Sequence, residues 1–393
     1  MGSEDMHEEK ILPLLSPTLI ILELYGGYYT SKFLDEIQIR SPGLKFFLVD
    51  NSLEDSITAD AVMNFLDHMP SIVHLELLLG WPFLRNKTFL RHMMLNPRLE
   101  VLVLGNKNEI SHTMCREALI ECGDNPIFPA LRYLGVYIED KALRPLLPFL
   151  SNVQGLRLDV SDCGPIQTQK PYIMGLLSAC PHLEDLEFGT RHSSTISSAA
   201  FLELASGCPL LRRLEIGDTC DCEPDFNDAL IEKLSSRWKN LAVLSLPFQA
   251  TLTRRSLAHL ARNCPGLIEL RVMDDVLEME EKEPVDMVPV PNLKILEMGQ
   301  LNLNLNSESE AATASKNTIA VLDKWFPALQ SFFHNYPTIS RKYHMFNRLV
   351  AEHLMQTRPI QPLPPAYPAT SVAHELHRKL LAPNSAGRFS SAF

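Results

Sequence analysis

The sequence predicts an α/β fold, a leucine-rich-repeat solenoid with a concave parallel sheet and convex helices. Three observations lead there. A short apolar phrase recurs twelve times along most of the chain. Amphipathic helical stretches that end in Pro precede several of these phrases. The 393 residues also exceed the size at which one globular core stops growing, which calls for separate domains or a repeat array.

The phrase is an apolar residue, two variable ones, a second apolar residue, one variable, and a third apolar residue. The triplets are Leu19-Leu22-Leu24, Leu44-Phe47-Val49, Ile72-Leu75-Leu77, Leu99-Leu102-Leu104, Leu131-Leu134-Val136 and Val153-Leu156-Leu158. They continue as Leu183-Leu186-Phe188, Leu211-Leu214-Ile216, Leu241-Leu244-Leu246, Leu267-Leu270-Val272, Leu293-Leu296-Met298 and Leu329-Phe332-His334. First members lie 22 to 36 residues apart, within or near the leucine-rich range. The last two members are two apart, so they share one face of a strand, and the residues flanking them face the other way.

Each helix follows from a second period. In Ser256 to Pro265, Leu257, Leu260 and Ala261 fall at i, i+3 and i+4, and the Pro disfavours helical geometry at the Cys before it. Ile173 to Cys180 and Ala200 to Gly207 repeat the pattern, and Leu230 to Trp238 repeats its apolar spacing. Strands stack roughly 4.8 Å apart and helices roughly 8–10 Å apart, so an array of strand–helix units should curve into a horseshoe with strands inside.

The expected organisation is a flexible N-terminus over 1–10, a repeat domain of about twelve repeats over 11–336, a capping helix over 337–356, and a Pro-rich disordered tail over 357–393. Met345, Leu349, Val350 and Leu354 share roughly one face of the capping helix. Asp274 to Asp286 carries seven acidic residues and should form an acidic loop at the rim; polar Asn302 to Lys316 should loop out. Within the tail, Pro364-Pro365-Ala366-Tyr367 fits the Pro-Pro-x-Tyr pattern accepted by WW grooves, a possible reader of Pro364 to Tyr367.

A formal charge of -11 without a basic, aromatic-rich patch argues against nucleic acid as a partner. Acidic residues precede the apolar stretch Ile11 to Leu24 where a signal peptide is basic, and no run of 18 apolar residues occurs, so neither export nor a membrane-spanning helix is expected. Cys180, Cys208 and Cys264 each stand immediately before Pro, which reads as packed free thiols in a reducing compartment, cytoplasmic or nuclear. No phosphate-cradling glycine loop or nucleophile motif appears, so no catalytic residue and no cofactor is assigned. His374-Glu375-Leu376-His377 is one residue short of the metalloprotease spacing, and Cys220-Asp221-Cys222 lacks a second ligand pair and reads as a loop with two free thiols; no metal is assigned.

At Cys180-Pro181-His182-Leu183, Cys208-Pro209-Leu210-Leu211 and Cys264-Pro265-Gly266-Leu267 the chain resembles the ribonuclease-inhibitor-like repeats of F-box proteins, most of all the fungal members. That resemblance covers about residues 10 to 335. It implies a substrate-recognition scaffold in a cullin–RING ubiquitin ligase, with no enzymatic activity of its own. In the family, an N-terminal F-box docks on the ligase adaptor; here the repeats begin by Leu19, and the first 18 residues lack the helical pattern of an F-box. An F-box is therefore expected only upstream, and the alternative is a stand-alone repeat inhibitor or assembly scaffold with no ubiquitin role.

The variable strand positions list the concave face. Its first half is read as apolar, with Ile21, Tyr25, Phe46, Leu48, Leu78, Val101, Val103, Tyr133 and Tyr137; the second is charged, with Arg157, Asp159, Asp185, Glu187, Arg213, Glu215, Glu269, Arg271 and Glu297. A protein segment is expected along Tyr25, Phe46, Leu48, Tyr133 and Tyr137, with Arg157, Glu187, Arg213, Glu215 and Arg271 continuing the contact and the acids reading basic residues.

Overall fold

The computed structural model describes residues 6–25, 29–50, 57–78, 86–105, 109–161, 172–190, 194–217, 220–222, 226–246, 253–277, 289–301, 308–334, 341–358 and 388–391. The chain falls into two compact units, Met1–Cys163 with Ser371–Phe393, and Gly164–Thr370.

In the first unit the strands are β1 (Ile21–Tyr25), β2 (Phe46–Asp50), β3 (His74–Leu77), β4 (Val101–Leu104), β5 (Glu109–Ile110), β6 (Tyr133–Glu139) and β7 (Gly155–Ser161). They pair in parallel in chain order, with β4 and then the short β5 both laid against β6. Arg388–Ser391, strand β16, pairs in parallel with the outer edge of β1. Helices α1 (Met6–Ile11), α2 (Ser31–Arg40), α3 (Ala59–His68), α4 (Lys87–Leu95), α5 (His112–Cys122) and α6 (Asp140–Leu146) belong to this unit.

The second unit repeats the plan. Its sheet runs β8 (Asp185–Thr190), β10 (Arg213–Ile216), β12 (Val243–Leu246), β13 (Glu269–Leu277), β14 (Ile295–Leu301) and β15 (Ser331–His334), again all parallel. A separate pair joins β9 (Ser194–Ile196) to β11 (Cys220–Cys222). The helices are α7 (Tyr172–Leu176), α8 (Ser198–Gly207), α9 (Asp228–Arg237), α10 (Arg254–Asn263), α11 (Glu308–Trp325) and α12 (Arg341–Thr357), with α12 packed on α11.

Every apolar triplet places its last two members on a parallel strand of its unit. The middle members stand in register as Leu22, Phe47, Leu75, Leu102, Leu134 and Leu156 in one unit, and Leu186, Leu214, Leu244, Leu270, Leu296 and Phe332 in the other. All but Phe332 are buried. They pack against the helix layer, as the Phe47 and Phe65 rings do with centroids 5.1 Å apart. An in-register column of leucines gives each repeat a core that its neighbours complete, since one strand and one helix cannot enclose it alone.

Three segments depart from the expected loops. Cys220–Cys222 is strand β11, and β13 continues through Asp274 to Leu277 before residues 278–288, which lie outside the described residues. Glu308 to Lys316 is helical, because its Ala-rich composition favours helix and Ala311, Ser315, Thr318 and Leu322 form a buried stripe at helical spacing. The segments Pro364 to Tyr367 and His374 to His377 fall outside the described residues.

Hydrogen bonds stitch neighbouring repeats at both ends of their helices. At the carbonyl end, Cys208 Sγ lies 3.2 Å from Leu177 O and 3.3 Å from Cys180 O, and Cys264 Sγ lies 3.4 Å from Trp238 O. Between these two repeats Trp238 takes the cysteine's place, and its Nε1 donates to Cys208 O at 3.2 Å. Helix C-termini leave carbonyls without intrahelical donors, and the next repeat supplies them. Burial pushes the Cys208 and Cys264 thiols up to about 12 and Cys180 to about 11, so all three stay protonated and Cys208 and Cys264 keep the proton they donate.

At the amide end, Thr, Asn or Ser side chains cap α3, α4, α5, α8, α9 and α10, as Asn227 does by accepting from Ala229 N at 3.0 Å. Asp228 reaches across to the following helix, accepting from Thr253 N at 2.9 Å, Thr253 Oγ1 at 2.7 Å and Ser256 N at 3.2 Å, and also from Ser256 Oγ. Partial burial pulls its carboxyl upward, but the hydrogen bonds from Ser256 and Thr253 outweigh it and hold the group below its ordinary value of 3.8. A depressed acid stabilises the fold above its unfolded pKa and loses that contribution as pH falls through the folded one. Asp228→Ala should therefore cost about 1–2 kcal/mol at neutral pH. The gap between variant and parent thermal midpoints should close as pH drops below about 3.8; an unchanged gap there would remove the carboxylate from the explanation.

Candidate partner-binding face

Residues that alternate with the buried leucines project from the face of each sheet turned away from the helices. In the first unit one row runs Ile21, Phe46, His74, Val101, Tyr133 and Gly155, and the next runs Glu23, Leu48, Glu76, Val103, Gly135 and Arg157. Beyond them stand Tyr25 beside Asp50, and Tyr137 beside Asp159.

The expectation of an open apolar surface here is corrected by burial. Phe46 and Leu48 are each 2% exposed and Tyr133 is 7% exposed. They belong to two compact clusters, Ile21 with Phe46 and Leu48, and Val101 with Val103 and Tyr133. Strand parity places a side chain on a face but does not say whether that face is covered. Tyr25, at 37%, is exposed, while Tyr137 and Arg157 are half-buried.

Nor is the face purely apolar. Glu23, His74 and Glu76 are buried within it; His74 Nε2 lies 2.6 Å from Glu76 Oε1, and its ring centroid stands 4.1 Å from that of Phe46. Reading only for large apolar side chains missed all three, although they occupy the same alternating positions.

In the second unit the rows are Asp185, Arg213, Val243, Glu269, Ile295 and Ser331, then Glu187, Glu215, Ser245, Arg271, Glu297 and Phe333. The charged positions meet here. Arg213 Nη2 lies 2.6 Å from Glu215 Oε2 and its Nε 3.5 Å from Asp185 Oδ1. Arg271 Nη2 lies 2.6 Å from Glu269 Oε1 and its Nε 3.5 Å from Glu297 Oε2. Glu187 and Glu215 are half-buried, as is Arg271, but Arg213, expected on an open surface, is buried, as are Asp185 and Glu269. Burial, opposed by Arg271 and Arg213, leaves the Glu269 carboxyl above its ordinary range.

Among the described residues no group of three or more His, Cys, Asp and Glu side chains could hold a metal ion, and no helix is long and apolar enough to cross a membrane. Cys220 packs inside, its Sγ 3.5 Å from Thr190 Oγ1.

Two runs of six in-register repeats, each with a leucine column on one face and variable residues on the other, define a leucine-rich-repeat solenoid. Its architecture is shared with a chain of the crystal structure of the Rad7 and Elc1 complex in yeast, at a TM-score of 0.54 and 16% identity over 85% of this chain and 82% of that one. No protein-family model matches the sequence, and no curated protein does.

Proposed function

We propose that the chain is a non-catalytic protein-binding scaffold, the substrate-recognition part of a cullin–RING ubiquitin ligase of the F-box type. The observation that carries this reading is the face turned away from the helices. Its side chains are spared from the leucine core, and they present tyrosines and charge that the fold itself does not require. The similarity to a chain crystallised in the Rad7 and Elc1 complex supports it, because a related architecture there occurs in a protein assembly. The ligase adaptor would engage an F-box joined upstream. Pro364 to Tyr367 would offer a further docking motif to a WW-type groove.

Affinity capture of the tagged chain tests this, with a Tyr25→Ala, Tyr137→Ala variant alongside. Tyr133 is left intact because it is buried, and its truncation would test folding. Recovery of a cullin and its adaptor is the expected result. Other proteins alone, lost with the variant, would assign a stand-alone inhibitor or assembly scaffold; a variant that retains every captured protein would reject the placement on the first unit.

A further inference from the structure

The second unit's face has a composition that selects its partner. Between Asp185 and Glu297 it carries five carboxylates (Asp185, Glu187, Glu215, Glu269, Glu297) and two guanidiniums (Arg213, Arg271), an excess of three negative charges. The charges are not spread evenly. Strand β12 contributes only Val243, which is buried, and Ser245, which is half-buried, so a low track of small side chains centred on Ser245 runs between the Arg213–Glu215 pair on β10 and the Glu269–Arg271 pair on β13.

Arg213 borders that track and is held rigidly. Its side chain is only 9% exposed, Nη2 and Nε are engaged by Glu215 and Asp185, and Nη1 is buried with no hydrogen-bond acceptor. A guanidinium offers donors in a fixed fork, and one left without an acceptor when buried carries a desolvation cost that an arriving acceptor would relieve. The acceptor must come from a molecule that tolerates the surrounding acids. A phosphate backbone does not, since the excess charge repels it. An extended polypeptide does: a backbone carbonyl supplies the acceptor, and neighbouring Lys or Arg side chains meet the carboxylates.

We infer that the track over β12 receives an extended protein segment bearing Lys or Arg, with one of its backbone carbonyls accepting from Arg213 Nη1 and its basic side chains paired with Glu215 and Glu297. This rests on the reading of the face as a partner-binding surface, and it fixes the partner's chemistry there. Glu269, its carboxyl raised by burial, also gains from a cation brought close.

The test is fluorescence anisotropy on the full chain with two labelled probes, a short amidated peptide of alternating Lys and Ala and its Glu and Ala counterpart. The basic peptide should bind saturably and weaken with added salt, and the acidic one should not bind. A Glu215→Gln, Glu297→Gln variant should weaken the basic peptide about tenfold. Arg213→Lys, which keeps the charge but loses the Nη1 donor, should weaken it several-fold with an unchanged circular dichroism spectrum. Glu203→Gln with Glu232→Gln, on α8 and α9, removes equal charge elsewhere and should leave binding intact. Comparable binding of the acidic peptide, or equal weakening by the helix variant, would overturn the inference. The broader reading fails separately: if the partner captured by the tagged chain is lost with Glu215→Gln, Glu297→Gln yet the basic peptide does not bind, the face is a partner surface of different chemistry. If neither responds, both ideas fall.

Discussion

Truncation of Trp238 to Ala is expected to lower stability by about 3–5 kcal/mol, among the larger single losses available in the second unit. The indole is 1% exposed and packs among Phe201, Phe226, Leu234 and Leu244 between two layers of repeats. Removing it leaves a cavity that rigid neighbouring strands cannot close, and it strips Cys208 O of its shorter donor, leaving only Leu211 N at 3.4 Å. Trp238→Phe separates the two contributions, since it keeps most of the volume and loses only the N–H, for about 1 kcal/mol. Urea unfolding followed by circular dichroism reads both. A loss below about 1 kcal/mol for the Ala variant would mean that the layers close over the gap.

Gly207→Ala should be destabilising by about 2–3 kcal/mol, against the usual trend. Within a helix, replacing Gly by Ala ordinarily gains about 0.5–1 kcal/mol through the entropy of the unfolded chain. At the end of α8, however, an added Cβ would lie 2.2 Å from Ser178 O and 2.5 Å from Ser178 Cα. Both are main-chain atoms of the preceding repeat, so relief requires the repeats to move apart. Gly266 is the internal comparison: a Cβ there meets nothing within 4 Å, and Gly266→Ala should be neutral or slightly stabilising. Equal thermal midpoints for the two variants would remove the close approach from the argument.

The fold was legible because two periods are written into the chain at once. Leucine spacing of two marks each strand's buried face, and the roughly repeating interval of about 28 residues brings those faces into one column. Both survive variation in loop length, since residues inserted between strand and helix leave the phase within each element untouched. What misled was polarity read in isolation. Asn, Ser and Glu around residue 308 suggested a loop, yet Ala311, Ser315 and Thr318 pack as small side chains on a helical stripe. Cys220–Cys222, read as a loop with two thiols, became a strand by pairing with Ser194–Ile196.

The candidate site was legible only in outline. Alternation puts Phe46, Leu48 and Tyr133 at the strand positions opposite the leucine column, while their burial depends on contacts that no local pattern encodes. Arg213 was identifiable as a face residue, but its engagement by Asp185 and Glu215 requires the register of two neighbouring strands. His74 and Glu76 show the complementary error, for a polar residue at an alternating position can be as deeply enclosed as the phenylalanine beside it.

The thiol rungs also bear on how such a chain can gain or exchange repeats. Cys208 and Cys264 each offer a donor backward to the preceding turn, and the Cys208 carbonyl in turn receives one from the repeat that follows. Units built this way behave as interchangeable tiles: a copy bearing Cys at that place meets its neighbours with the same donor and the same acceptor. The Trp238 unit makes the same rung with a far larger group, whose recess is shaped by Phe201 and Phe226. Moved elsewhere, it would bring an indole to a thiol-sized space and leave a vacant recess behind, so one keyed tile marks the order of an otherwise repetitive array.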